Sequence, residues 1–315
     1  MDLGHKMTDD MLKDMEKRIQ KVYSQAAKEM EQKVSKHYLS YTKSYMQKVA
    51  DLNAGKITKA EFSRWSRGQM MTGKRWREMR DTIAQDLTNA DKLAASMTRG
   101  YLPEVYALNH NFGTYEIEHG LGVDTSYTLY DRQTVERLIR DNPKLLPSPR
   151  IDSVKDLRWN KSIFTNGITQ GILQGESIPD IAKRVALGTS KSDYVAALRN
   201  ARTATTGAEN AGRLDSYERA ERMGIKLKKV WMANLDGRTR DSHRDLDGEE
   251  VDYNEEFSNG LMYPGDPDGE PGEVWNCRCT MVADLDESFV PDDLERRNSK
   301  LEGMSYDEWK KGRKK

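Results

Sequence analysis

Hydrophobic residues recur every three or four positions along the first fifty residues of the chain. The pattern runs from Met11 through Ile19 and Tyr45 to Leu52, and neither proline nor glycine interrupts it before Gly55. This spacing places the apolar side chains on one face of an α-helix. Because the apolar stripe is narrow, the sequence predicts a long, coiled-coil-like helix that packs against a partner helix or another subunit.

Helical periodicity resumes after a short loop and continues to about residue 119. Thr58 and Glu61 have the spacing of a capping box, which predicts that a helix begins there. Pro103 lies within this stretch. Since proline lacks a backbone donor, we expect it near a helix start rather than in a helix interior.

Residues 120–150 have the composition of a linker with one short helix, for which Asp131 is the predicted N-cap. The proline-rich stretch PKLLPSPR ends this linker and predicts a domain boundary near residue 150. The predicted organisation is therefore a helical, coiled-coil-like region over 1–150, a second domain over 151–290 and a charged tail over 291–315.

The second domain has a different pattern. Two helices are expected around a turn at Gly175, with the second ending at Gly188, and a long helix follows over Tyr194–Met223. The stretch KLKKVWMAN alternates like a β-strand, and dense Asp-Gly and Asn-Gly turns follow it. The predicted fold is mostly α, with long N-terminal helices followed by a small α+β C-terminal domain that has a loop-rich end.

Composition and charge favour exposed helices. Hydrophobic residues make up 36% and charged residues 32% of the chain, whereas soluble domains average about 45–50% and about 25%. Residues 1–100 contain 20 Lys and Arg against 13 Asp and Glu, a net charge of +7. Residues 236–295 contain 4 against 19, a net charge of −15. This asymmetry indicates charged partners.

Basic residues alternate with tryptophans between residues 64 and 80. Arg75, Arg77 and Arg80 lie near Trp76 in this segment, an arrangement that can hold a nucleic-acid backbone. The alternative is that the tryptophan belongs to the helix core and the arginines are solvated. Both interpretations stay open at the sequence level.

The sequence has no run of about 18 apolar residues, so we expect no transmembrane helix and no membrane partner. The N-terminus also lacks the apolar core of a signal peptide. With two cysteines in 315 residues, a secreted disulfide scaffold is not expected. These features favour synthesis in a reducing cytoplasm.

The candidate chemistry lies near the C-terminus. Cys277 and Cys279 are the only cysteines, and His243 is one of five histidines. Thiolates and an imidazole suit Zn²⁺, so the three residues are a candidate zinc site. A fourth ligand would come from one of three nearby carboxylates: Asp236, Asp241 and Asp247.

Three alternatives compete with zinc. The cysteines can act as small buried hydrophobes, or His243 can act as a base beside a carboxylate or a thiol in an enzyme. The third is a polar scaffold, in which charged side chains tie loops together and Trp275 fills the core. The candidates for this scaffold are Asp236, Arg238, Arg240, His243, Asp247 and Gly248.

The stretch from about 160 to 285 resembles the phage Mu protein F-like domain of head morphogenesis proteins, also called minor capsid proteins. The resemblance rests on a helix with R-T and a later E, then W-x-x-x-x-D-x-R-T-R-x-x-H-x-x-x-D-G, then Y-P-G-D-P and N-C-R-C. The matching positions are Arg202, Glu209, Trp231, Asp236, Arg238, Arg240, His243, Asp247, Gly248, Pro264, Asp266, Asn276, Cys277, Arg278 and Cys279.

The resemblance implies an assembly function rather than an enzymatic one. Proteins of this family are minor components of the tailed-phage procapsid. They associate with the portal protein and enter with the scaffold, and they stay inside with the packaged double-stranded DNA. Some of them influence DNA ejection or travel with the genome. The implied partners are therefore the portal protein, the scaffold or major capsid protein, and the DNA. The implied location is the interior of the virion head, after synthesis in the host bacterial cytoplasm. The alternatives are a metal-dependent, nuclease-like enzyme that uses His243, and an internal DNA-binding protein that uses the basic N-terminal half.

Overall fold

The computed structural model describes residues 2–142 and 153–286, together with 288, 291, 294–296, 301 and 303–313. The stretch PKLLPSPR and the domain boundary predicted near residue 150 lie outside the described residues.

Helices dominate the described part of the chain, as predicted. The α-helices are α1 (Leu3–Tyr38), α2 (Thr42–Asn53), α3 (Lys59–Met70), α4 (Gly73–Leu121), α5 (Arg132–Asp141), α6 (Ser153–Leu173), α7 (Ile178–Arg222), α8 (Asp241–Asp245), α9 (Pro271–Val274) and α10 (Tyr306–Lys311). The strands are β1 (Val123–Asp124), β2 (Leu227–Met232), β3 (Glu250–Asp252), β4 (Thr280–Leu285) and β5 (Glu295–Arg296). The predicted fold class is therefore confirmed: long N-terminal helices precede a small antiparallel sheet.

Local sequence signals set several helix ends. The Thr58 hydroxyl accepts a hydrogen bond from the Glu61 amide, and the Glu61 carboxylate accepts from the Thr58 amide, which confirms the capping box. The Asp131 carboxylate caps α5 by accepting from the Thr134 amide at 2.8 Å. Gly224 follows α7 with a φ of 85°, a conformation that glycine adopts without steric cost.

The position expected for Pro103 was wrong, because this proline lies inside α4. An interior proline removes one backbone hydrogen bond and clashes with the preceding turn. The neighbouring residues Leu102, Val105 and Tyr106 are buried in a cluster with Ala204 of α7. Burial of these side chains offsets the local cost, so tertiary packing overrides the helix-breaking tendency of proline.

The helix end predicted at Gly188 was also wrong, since α7 runs without a break from Ile178 to Arg222. An exposed helical glycine costs only about 1 kcal/mol relative to alanine. Ala186 and Thr189 on either side of it are buried, so the packed face of the helix continues past the glycine.

The chain divides into two compact units built from separated segments. Unit 1 contains the described residues of 1–15, 98–149 and 199–315, and unit 2 contains those of 16–97 and 150–198. Unit 2 is helical, and its core includes Val34, Tyr45, Phe62, Trp76 and Phe164. The rings of Trp76 and Phe164 are stacked with centroids 5.8 Å apart.

Unit 1 contains the sheet, whose strand order is β3-β2-β4 with antiparallel neighbours. The strand predicted in KLKKVWMAN is confirmed as β2, the central strand. Met232 at the end of β2 pairs with Thr280 at the start of β4. This register brings the loops after β2 next to the chain that leads into β4, and the candidate site lies at that end of the sheet.

Part of the predicted charged tail is folded within unit 1. Tyr306 and Trp309 of α10 are buried, and the Trp309 indole donates a hydrogen bond to Glu118 at 2.7 Å. Arg313 forms an ion pair with Asp124 at 2.6 Å. Two buried aromatic side chains and one charged residue of this segment therefore attach it to the rest of unit 1.

A close helix contact in unit 1 gives a testable prediction. A Cβ atom at Gly212 of α7 would lie 2.5 Å from the backbone oxygen of Tyr106 in α4. Because neither backbone can move away cheaply, we expect Gly212→Ala to lower the free energy of unfolding by about 1–3 kcal/mol. Urea denaturation followed by circular dichroism measures this change.

The matched control is Gly188→Ala on the same helix, where a Cβ would meet no atom within 4 Å. This substitution should raise the free energy of unfolding by about 0.5–1 kcal/mol, since alanine is the better helix former. Equal effects of the two substitutions would contradict the described packing of α4 on α7.

Candidate metal centre

The loop-rich end of unit 1 has a small apolar core. Trp231 is fully buried, and its ring makes edge contacts with His243 and Phe257 at centroid distances of 5.3 and 5.1 Å. Cys277 and Cys279 belong to the same cluster. Such a thin core leaves many loop amides and carbonyls that need polar partners.

The structure brings His243, Cys277 and Cys279 together. Their side chains are 1–2% exposed, and their ligand atoms all lie within 4.8 Å of one another. The distance from His243 Nδ1 is 3.6 Å to the Cys277 sulfur and 3.4 Å to the Cys279 sulfur. Among the residues that the structure describes, this is the cluster of His, Cys, Asp and Glu side chains with the spacing of metal ligands.

The turn that contains the cysteines explains how two thiols only two residues apart face one point. Asn276 has a φ of 56°, a left-handed conformation that asparagine tolerates better than most residues. The Cys279 amide then donates to the Cys277 sulfur at 3.5 Å. The turn ends where β4 begins, so the sheet fixes its position.

Glu273 orients the imidazole from the opposite side. Its carboxylate lies 3.1 Å from His243 Nε2 and also accepts from the Ser242 hydroxyl at 3.2 Å. A carboxylate beside Nε2 favours the hydrogen on that nitrogen, which leaves the Nδ1 lone pair facing the two sulfurs. This residue was not among the predicted site residues.

The two thiols have opposite pKa shifts. The hydrogen bond from the Cys277 thiol lowers the pKa of Cys279. Its neighbour has the reverse shift, because the Cys279 sulfur and burial raise the pKa of Cys277 well above its usual value.

The three carboxylates considered as a fourth ligand have other roles or positions. Asp236 forms two hydrogen bonds with the Arg278 guanidinium at 2.6 and 2.7 Å. Asp247 accepts from the Ala233 amide at 2.8 Å. Asp241 is exposed on α8. None of them joins the histidine and the cysteines within the described part of the chain.

Asp236 instead connects the loop after β2 to the turn that contains the two cysteines. The Arg278 guanidinium and the Arg238 amide hold the pKa of its carboxyl well below the usual range. Arg238 also forms a longer ion pair with it at 3.7 Å, and Arg240 donates to the carbonyl of Trp275. These contacts match the polar scaffold that the sequence suggested.

The expectation that Trp275 fills the core was wrong. Its side chain is 49% exposed and lies under the Arg199 guanidinium, 4.6 Å from the ring centroid. Trp231 occupies the core position instead, because it belongs to the central strand and faces His243.

Helix α7 holds the loop-rich end through residues that were missed. The Asn210 amide, which is fully buried, donates to the carbonyls of Pro264 and Cys279 at 3.0 and 3.3 Å. Its oxygen accepts from the Met281 amide at 3.0 Å. The Thr206 hydroxyl donates to the Cys277 carbonyl at 2.7 Å.

A signal for these residues exists in the sequence. Thr206 and Asn210 are four positions apart in an alanine-rich stretch of α7, so both lie on its buried face. Polar residues on a buried face need partners, and these bind backbone groups of the loops.

The other motif residues occupy structural positions in unit 1. Glu209 is buried and accepts from the Thr280 hydroxyl at 2.9 Å, with His5 Nδ1 2.8 Å away. Asp266 accepts from the Met262 amide at 3.0 Å. Gly248 has a φ of 84° in the turn before β3, and Arg202 is half-buried on α7.

The basic residues of the N-terminal half lie in unit 2. Arg75 and Arg77 are exposed on α4, while Arg80 is half-buried and forms an ion pair with Asp81 at 2.8 Å. Trp76 is buried in the core of unit 2. This position agrees with the interpretation in which the tryptophan belongs to the helix core and does not stack on bases.

A family of known proteins matches the segment in which the sequence motifs described above lie. Residues 162–282 match the sequence model of a family described as Phage Mu protein F like protein. The resemblance predicted from the sequence is therefore confirmed for this segment, which extends from α6 to β4.

Individual relatives differ in how much of the chain they match. The chain is 28% identical over 271 residues to the minor head protein GP7 of Bacillus phage SPP1, which covers 82% of this chain and 83% of that protein. It is 39% identical over 149 residues to the NAD(+)–arginine ADP-ribosyltransferase EFV of Enterococcus faecalis, covering 46% of this chain but only 30% of that protein. An uncharacterized protein of Haemophilus influenzae is 27% identical over 194 residues, which span 61% of this chain and 40% of that protein. No solved structure matches the chain significantly.

The role of α7 gives a prediction about Asn210. In Asn210→Asp an oxygen replaces the donating amide, so the carbonyls of Pro264 and Cys279 lose their donor. We expect the free energy of unfolding to fall by about 3 kcal/mol, the upper end of the range for a buried group left without its partner. Thermal and urea denaturation measure this loss.

Asn200→Asp is the control, because Asn200 lies exposed on the same helix. It should change the free energy of unfolding by less than about 0.5 kcal/mol. A loss at Asn200 as large as the loss at Asn210 would show that the anchoring contacts do not stabilise the domain.

Proposed function

We propose that this protein is a minor head protein of a tailed phage, which acts in head assembly and remains in the virion head. The observation that carries the proposal is the extent of the match to minor head protein GP7. That match spans more than four-fifths of both chains and thus extends well beyond the Mu F-like segment. A match that spans more than four-fifths of both chains is best explained by a shared role.

The proposed partners are the portal protein and the scaffold or major capsid protein inside the procapsid. The charge asymmetry supports contacts with charged partners, since residues 1–100 carry a net charge of +7 and residues 236–295 one of −15. None of the helices in the described part of the chain has the length and apolarity needed to cross a membrane. Genome packaging and delivery are the stages at which such a protein would act.

We favour a structural role over an enzymatic one. The named activity of the Enterococcus protein belongs to a chain of which the match covers only 30%. The nuclease-like alternative needs His243 beside free carboxylates. The His243 ring instead faces the two cysteine sulfurs and Glu273. Asp236 and Asp247 bind other groups.

The head role is tested in the phage or prophage that encodes the protein. We expect mass spectrometry of purified heads to detect it in far fewer copies than the major capsid protein. Interrupting the gene should lower the infectious titre, and a copy supplied in trans should restore it. Absence of the protein from purified heads, together with an unchanged titre, would contradict the proposal.

Double-stranded DNA inside the head is a further proposed partner, and the exposed Arg75 and Arg77 support it. Each phosphate contact changes the slope of log affinity against log salt concentration by about 0.9. The double substitution Arg75→Glu and Arg77→Glu should therefore reduce the steepness of this slope by about 2 in a fluorescence anisotropy titration.

The charge-matched control is Lys183→Glu with Lys191→Glu, two exposed lysines on α7 in the same unit. It introduces the same change in net charge, and the slope should stay unchanged. If both pairs weaken DNA binding equally, the effect is one of total charge and the arginines form no specific surface.

A further inference from the structure

The cluster of His243, Cys277 and Cys279 has the dimensions of a metal site. With Zn–S bonds of about 2.3 Å and Zn–N bonds of about 2.0–2.1 Å, a sulfur and a nitrogen on a tetrahedral zinc lie about 3.5 Å apart. The two distances from His243 Nδ1 to the sulfurs are 3.6 and 3.4 Å. Both nitrogen–sulfur distances are therefore those expected of zinc ligands, and all three ligand atoms lie within 4.8 Å of one another.

We propose that His243 Nδ1, Cys277 Sγ and Cys279 Sγ bind one zinc ion, which joins α8 to the turn before β4. Two thiolates and a neutral imidazole are a ligand set that suits zinc among the common divalent ions. This inference does not depend on the head role, because it rests on the local geometry of unit 1.

The surroundings of the ligands resemble those of known metal sites in their chemistry. A histidine ligand usually donates its other ring nitrogen to a carboxylate, which fixes the tautomer. Glu273 occupies that position, 3.1 Å from His243 Nε2. The Cys279 amide lies 3.5 Å from the Cys277 sulfur, where it donates a hydrogen bond that a thiolate would accept.

Three protein ligands leave one position of a tetrahedral ion for another ligand. A small depression adjoins the three side chains and is also lined by Asn234, Thr239 and Arg240. A water molecule can reach the ion from this depression. The carboxylates Asp236 and Asp247 bind other groups, so a solvent molecule in this depression would complete the tetrahedral set.

Zinc would also explain how the loop-rich end stays folded. His243 lies more than thirty residues before the cysteines, and the elements between them are two short segments, β3 and α9. A metal bond across this interval would close a long loop and add to the apolar contacts that Leu246, Phe257 and Val274 make in the small core. The ion would thus join α8 to the cysteine turn, which Thr206 and Asn210 of α7 also hold.

The first test is the zinc content of protein purified without added metal under reducing conditions. We expect close to one zinc per chain by mass spectrometry, and a lower melting temperature after chelation that zinc restores. Replacement by Co²⁺ should give the intense visible ligand-field bands of a tetrahedral site and a near-ultraviolet sulfur-to-cobalt charge-transfer band, and Cys277→Ser should reduce that charge-transfer band to about half, since one thiolate ligand remains.

The second test keeps the proposal falsifiable if cysteine variants fail to fold. Loss of an orienting carboxylate typically costs about 10–100-fold in metal affinity. Glu273→Gln should therefore lower zinc affinity by about that factor in competition with a chromophoric chelator. Glu270→Gln, at an exposed glutamate just before α9, should leave it unchanged.

Three results would overturn the proposal. One is a wild-type chain that binds no zinc after incubation with a zinc salt and melts at the same temperature with and without chelator. Another is equal zinc affinity in Glu273→Gln and the wild type. The third is Co²⁺ binding without sulfur-to-cobalt charge transfer, which would place the metal elsewhere.

Discussion

Buried hydrogen bonds from α7 to the backbone of the loops are the interaction on which the C-terminal domain depends. A three-stranded sheet with short turns cannot bury enough apolar surface to fix its loops. It must also provide partners for the backbone groups that the turns leave unpaired. Asn210 both fixes the loops and pairs their backbone groups. Its amide donates to the carbonyls of Pro264 and Cys279, and its oxygen accepts from the Met281 amide. With the loops fixed in this way, the two cysteine sulfurs and His243 face each other.

The sequence predicts the elements whose signals are local. The apolar spacing of α1, the capping box at Thr58 and the alternation in β2 each follow from contacts within a few residues. The expectations for Pro103 and Gly188 were wrong for the opposite reason. Both residues weaken a helix locally, but packing of the neighbouring side chains keeps α4 and α7 continuous.

The candidate site was partly predictable. Rare residue types marked His243, Cys277 and Cys279, and the structure brings all three together. Glu273 was missed because glutamate is common on exposed surfaces, and its residue type does not separate it from solvated neighbours. Asn210 was missed although its spacing from Thr206 in an alanine-rich stretch indicates a buried helix face. Only the fold shows that one faces the imidazole and the other faces the loops. The exposed position of Trp275 was unpredictable for the same reason, because its side follows from the turn at Asn276.

The relatives of this chain match it over very different lengths. The match to the Enterococcus protein is higher in identity but short, whereas the match to minor head protein GP7 is lower in identity and spans most of both chains. The match to GP7 covers 271 residues and therefore extends beyond the Mu F-like segment at residues 162–282.

The most direct measurement is an anomalous difference map from crystals of the protein, recorded on both sides of the zinc absorption edge. We expect one peak within bonding distance of His243 Nδ1 and the two cysteine sulfurs. Fluorescence from the same crystal should identify the element as zinc. A map without a peak there, or one with a bond between the two sulfurs, would contradict the account.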